Sequence, residues 1–141
     1  LSSIPFLAGF IPMLMDTGGN SGAQSSTLVI RGMATGDIRG KDWFKVLWKE
    51  MRVALLCGVT LAFVNYFKVI YLDGVPADVA LTVSCSIVVA VLGAKLVGGL
   101  LPIAAASLKL DPAIMASPLI TTIADATSLT AYFIFAQMII K

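Results

Sequence analysis

Residues Pro112 to Ile140 read PAIMASPLITTIADATSLTAYFIFAQMII, an apolar run with one charge, Asp125, near its middle. As a helix, a run of this length crosses about 30 Å of hydrocarbon. An ionised carboxylate at the centre of such a helix costs roughly 2.5 to 3.5 kcal/mol on insertion scales, so a lone intramembrane aspartate reads as an ion or proton site. Ser117, Thr121, Asp125 and Ser128 follow at spacings of three or four residues and share one helix face. Counted from Asp111 at about 1.5 Å per residue, Asp125 lies roughly 21 Å along the helix, near the bilayer midplane.

Composition extends this reading to the whole chain. Of 141 residues, 58% are hydrophobic and 13% charged, and mean hydropathy is +0.94. That is more apolar surface than a soluble domain of this length can bury in one core. The net charge of +2 argues against a nucleic-acid partner. Cys57 and Cys85 lie inside apolar runs and histidine is absent, which leaves no zinc or haem pattern and makes both thiols small buried hydrophobes.

Upstream of Asp111, three further segments are marked off by charge and turn residues. The first runs from Leu1 to Ile30. The second covers about Val46 to Leu72, with Trp43 and Trp48 at one end and Tyr66 and Tyr71 at the other, where interfacial aromatics belong. Asp73-Gly74-Val75-Pro76 reads as a tight turn, and the third segment runs from about Ala77 to a stop at Pro102. Asp111-Pro112 reads as an N-cap with proline in the first turn of the fourth. Long apolar runs without strand alternation favour helices over a barrel. The expectation is an all-α, polytopic transmembrane helical bundle. It forms one ion-conducting domain over 1–141, with helices near 1–35, 42–72, 76–102 and 111–140.

The charged block from Arg31 to Arg52, which includes Glu50, reads as one basic hydrophilic loop. It and the Lys109 loop carry most of the lysine and arginine, so both are expected on the cytoplasmic side. Both chain ends then fall outside. With no methionine at the start and no leader pattern, this suggests a fragment preceded by a further helix.

Within the first segment, Asp16 to Thr27 is a polar, glycine-rich insertion between apolar halves. Loosened backbone at membrane depth is tolerated where it is buried in protein or lines a water-filled cavity. Gly18, Gly19, Asn20 and Gly22 are therefore pore-lining candidates with Ser128, while Gly18 and Gly22 also have the small-xxx-small spacing of close helix packing. Lys95 either pairs with Asp125 or snorkels to the cytoplasmic side. Asp73 and Asp78 are either solvated loop acids or collectors of cations, and Asp16, inside an apolar run, is the better cation candidate. Asp16-Thr17-Gly18 has the wording of an aspartic-protease triplet but lacks the hairpin context and the second copy. No nucleophile and base pair for an enzyme is visible.

Two long stretches, in this order, carry a resemblance. Pro12-Met13-Leu14-Met15-Asp16-Thr17-Gly18-Gly19-Asn20-Ser21-Gly22-Ala23-Gln24-Ser25-Ser26-Thr27 resembles the second transmembrane helix of the MgtE family of magnesium channels. Asp111-Pro112-Ala113, Ser117-Pro118-Leu119 and Thr122-Ile123-Ala124-Asp125 resemble its fifth. The resemblance spans the chain as helices two to five of a five-helix domain. It implies a multi-pass protein of the cell (plasma or inner) membrane and a homodimer, with the pore on the two-fold axis. Asp125 of each subunit would hold hydrated Mg²⁺, or Mn²⁺ or Co²⁺, helped by the backbone carbonyl of Thr121 and the side chain of Ser117, where the family carries the longer asparagine. Asp111 matches a position that bridges ions to cytoplasmic regulatory parts, an N-terminal helical domain and CBS modules, although an N-cap role suits it equally. A proton- or sodium-coupled carrier, or a non-conducting structural subunit, are the other readings of the same residues.

Overall fold

The computed structural model describes the backbone of residues 4–140 and the side chains of 5–113 and 118–140. Its elements are α1 (Ile4–Ala34), a 3₁₀ turn (Gly40–Asp42), α2 (Trp43–Tyr71), α3 (Ala77–Ser107) and α4 (Pro112–Ile139), with no strand among the described residues. The four-helix expectation therefore holds. By length and apolarity, 40–71, 77–107 and 118–139 are each sufficient to cross a membrane. α1 is as long as α3 and carries the polar stretch 16–27.

α3 is the central helix and packs on α1, α2 and α4, and α1 also packs on α4. The reason lies in its side chains. Val79, Ala80, Val83, Ile87, Ala90, Val91 and Ala94 are almost wholly buried, and so are Thr82, Ser86 and Lys95, so α3 is buried on most of its sides, as a helix packed against three others must be. α2 buries one stripe at intervals of four, Val46, Glu50, Ala54, Gly58 and Ala62, and leaves Leu56, Val59, Phe63 and Val64 exposed on the opposite face. Large exposed aliphatics on a helix of this length match a lipid-facing side.

Helix crossings are made where side chains are smallest. A Cβ on Gly98 would overlap the backbone of Gly22, so α1 and α3 touch main chain to main chain. A Cβ on Gly18 would come 2.6 Å from Ser128 Oγ of α4, and one on Gly58 3.3 Å from Val88 Cα of α3. Such approaches are the usual substitute for the hydrophobic effect between helices in lipid.

Three expectations are corrected. The polar stretch 16–27 does not loosen α1, which is continuous. Thr17 Oγ1 donates to the Met13 carbonyl at 2.7 Å and Thr27 Oγ1 to the Ala23 carbonyl at 2.8 Å, so these hydroxyls are satisfied inside the helix. The charged block 31–52 is mostly helical, since α1 runs to Ala34 and α2 starts at Trp43, and the connection shrinks to 35–42. α3 does not stop at Pro102 but continues to Ser107. Proline removes one helical hydrogen bond, a loss tolerated where neighbouring helices hold the segment, and Pro102 is under 2% exposed.

The short connections close locally. Lys68 Nζ meets Asp73 Oδ2 at 2.6 Å, and Gly74 supplies the positive φ of +63° that the α2–α3 turn requires.

Candidate functional site

α1 and α4 lie side by side in opposite directions, and their polar residues open a groove of about 490 Å³ lined by Met15, Asp16, Gly19, Asn20, Ala23, Thr121 and Asp125. A second recess of about 550 Å³ shares Asn20 and Ala23 and continues along α1 past Gln24, Thr27 and Leu28. One polar track therefore follows α1 from Asp16 toward the end that carries Arg31.

Helical geometry explains which candidates reach the track. Each residue turns the helix by about 100°, so Thr121 and Asp125, four apart, differ by only about 40° and face the same way. Ser128 is about 60° from Asp125 but only about 20° from Thr121, so the crossing with α1, more than rotation, keeps it out of the groove. It is fully buried against Gly18, and its Oγ donates to the Ala124 carbonyl at 2.7 Å. On α1 the same arithmetic sends Asp16, Gly19, Asn20 and Ala23 to the groove and turns Gly18 and Gly22 into the bundle. A Cβ on Gly22 would lie 2.7 Å from Ile120 Cγ2 and 3.1 Å from the Ala94 carbonyl. Of the five pore-lining candidates, Gly19 and Asn20 line the groove, and Gly18, Gly22 and Ser128 sit in helix crossings.

Asp16 is exposed and Asp125 half-buried, and among the described residues neither carboxylate has a hydrogen-bond or ion-pair partner. Thr121 Oγ1 donates to the Pro118 carbonyl at 3.0 Å, which also accepts from Thr122 Oγ1 at 2.8 Å. No group of three or more His, Cys, Asp and Glu side chains converges among the described residues, so one chain offers a cation two carboxylates and neutral oxygens. The Ser117 side chain lies outside the described residues. Asp111 is away from the groove lining and caps α4, its Oδ1 accepting from Ala113 N–H at 2.9 Å. Asp73 is engaged by Lys68, and Asp78 Oδ1 accepts from Val79 N–H at 2.9 Å in the first turn of α3.

Lys95 does neither of the two things expected of it. It is 6% exposed, and its Nζ donates to Ser25 Oγ at 3.3 Å, while Ser25 Oγ donates to Glu50 Oε2 at 2.5 Å. Glu50, grouped above with a hydrophilic loop, is 4% exposed inside the bundle. The four-residue interval from Val46 through Glu50 to Ala54 and Gly58 was the available signal, and the surrounding Lys49 and Arg52 masked it.

Fold and groove together define a class: an all-α membrane protein with a polar groove that holds two carboxylates, unpaired among the described residues. Residues 11–135 match the MgtE family, described as divalent cation transporters. The chain is 43% identical over its full length to the magnesium transporter MgtE of Thermus thermophilus, and 32% identical over 94% of its length to that of Bacillus subtilis. It is 29% identical over its full length to that of Enterococcus faecalis. It spans 31%, 29% and 31% of the lengths of these three relatives. The chain belongs to the MgtE family.

Proposed function

We propose that this chain is the ion-conducting membrane domain of a Mg²⁺ transporter and that the Asp16–Asp125 groove is one wall of its permeation path. The observation that carries the proposal is the pair of unpartnered carboxylates, one from α1 and one from α4, in a single polar groove of a protein otherwise built of apolar helices. An unpaired intramembrane carboxylate is stabilised when a cation occupies the space before it.

The donor set suits a hydrated divalent ion. Mg²⁺ prefers six oxygens at about 2.0 to 2.1 Å and releases water reluctantly, so a site that holds it through retained waters asks least of it. Asp125 and Asp16 supply negative charge, while the carbonyl and hydroxyl oxygens of Thr121 and the amide oxygen of Asn20 accept from the ion's waters. Hard oxygens without His or Cys suit Mg²⁺ and Mn²⁺ better than softer metals.

A groove open along one side is half of a pore. We place a second copy of the chain across it, so that two Asp125 carboxylates face each other on a two-fold axis and offset the charge of one divalent ion. The protein then resides in the cell membrane as a multi-pass homodimer, with Ser117 beside Thr121 toward the cytoplasmic end. Asp111, at that same end of α4, is positioned to meet the N-terminal and CBS regulatory parts that the family resemblance implies.

Mg²⁺ influx into proteoliposomes containing the full-length protein tests this reading. Asp125→Asn is expected to lower influx at least tenfold, since removing one charge at about 5 Å from a divalent ion in water forfeits roughly 1.7 kcal/mol. Influx should not depend on an imposed pH or sodium gradient. Unchanged influx in well-folded Asp125→Asn protein would return Asp125 to a structural role, and loss of transport on collapsing a gradient would make the protein a coupled carrier.

A further inference from the structure

Ser25, Glu50 and Lys95 join α1, α2 and α3 through one hydroxyl. Ser25 is fully buried, Glu50 is 4% exposed and Lys95 6%. The direction of the two bonds follows from chemistry: a carboxylate only accepts and an ammonium only donates, so the serine proton goes to Glu50 Oε2, at 2.5 Å, and the serine lone pair receives Lys95 Nζ, at 3.3 Å. Taking two charges out of water costs several kcal/mol per ion unless geometry and hydrogen bonds compensate. A bundle that needed only apolar packing would not retain them at this depth.

The surroundings leave α1 little freedom. Beside the network a Cβ on Gly99 would come 2.9 Å from Glu50 Cγ, and the preceding residue of α3, Gly98, is against the main chain of Gly22. Ser25, nine residues beyond Asp16, is about 180° around α1 from it, on the face turned away from the groove. A one-residue slip of α1 would move it about 1.5 Å and turn it about 100°, which would withdraw Ser25 from both charges and rotate Asp16 away from the groove. The bridge and the groove are two faces of one helix.

We propose that Ser25, Glu50 and Lys95 are positioning residues for the cation path: they lock the rotation and height of α1, and so set the separation of Asp16 and Asn20 from Asp125 and Thr121. This rests on the groove being that path. Glu50 and Lys95 line neither recess and act only through α1.

Two readouts on the full-length protein test it. Ser25→Ala keeps the helix and both charges but frees α1 from them. It is expected to raise the Mg²⁺ concentration for half-maximal influx about fivefold, with Ser25→Thr near the parent, as for neighbouring residues coupled by ~1 kcal/mol. The second readout is the distance between spin labels at Leu28 on α1 and Leu119 on α4, both exposed, in protein diluted with unlabelled copies. It is expected to shift or broaden in Ser25→Ala and in the double variant Glu50→Gln/Lys95→Met, which removes both buried charges and folds even if a single variant does not. Unaltered distances and half-saturation in either variant would overturn the proposal. If instead Asp125→Asn leaves influx intact while the label distances shift, the groove assignment fails and the lock on α1 stands.

Discussion

At the scale of single residues, the two carboxylates of the groove differ in what surrounds them, and their variants should differ accordingly. Asp125 is half-buried near the middle of α4, whereas Asp16 is exposed on α1. Charge removal at the more exposed site is screened more strongly. Asp16→Asn is therefore expected to slow Mg²⁺ influx by about threefold at low ionic strength and by less at high salt, compared with tenfold or more for Asp125→Asn. Initial rates of influx at two salt concentrations check this. Tyr132 gives a stability counterpart: its hydroxyl donates to the Leu7 carbonyl at 2.9 Å and ties α4 to the start of α1. Tyr132→Phe should destabilise the folded protein by about 1 kcal/mol, read as a lower midpoint of unfolding in detergent.

Asp125 and Thr121 were legible in the sequence because a charge in an apolar run stands out and a four-residue interval is visible without coordinates. Glu50 was not legible, because it sits among Lys49 and Arg52, and a charged run looks the same whether it is a loop or the end of a buried helix. Only its register with Val46, Ala54 and Gly58 distinguishes the two.

At the scale of helices, packing is decided by glycines that meet a neighbour and not by glycines in general. Gly98→Ala would push α3 off the main chain of α1 and is expected to cost about 1–3 kcal/mol, the range for overpacking a tight contact. A Cβ on Gly9 meets nothing within 4 Å, so Gly9→Ala should be neutral or stabilising by up to about 1 kcal/mol through helix propensity. Thermal unfolding of the two variants side by side separates contact from propensity. The four helices and most of their boundaries could be read from apolar length and turn residues. The continuity of α1 and the extension of α3 past Pro102 could not, because both depend on neighbours. A polar or proline-containing segment that would fray in water stays helical when other helices shield its backbone.

At the scale of the whole molecule, α3 is enclosed on three sides, α2 turns large apolar side chains outward, and α1 with α4 presents a polar track. That arrangement separates an apolar side suited to lipid from a polar side, and the proposed cation path would account for two carboxylates that have no partner among the described residues. We propose that this track is a cation path. It is tested most directly by placing a single cysteine at Asn20, with Cys57 and Cys85 replaced by serine, and measuring its rate of modification by a water-soluble thiol reagent with and without Mg²⁺. The account expects ready modification that Mg²⁺ slows when Asp125 is present and no longer slows in Asp125→Asn. A cysteine that the reagent does not reach, or a rate indifferent to Mg²⁺ in both backgrounds, would contradict it.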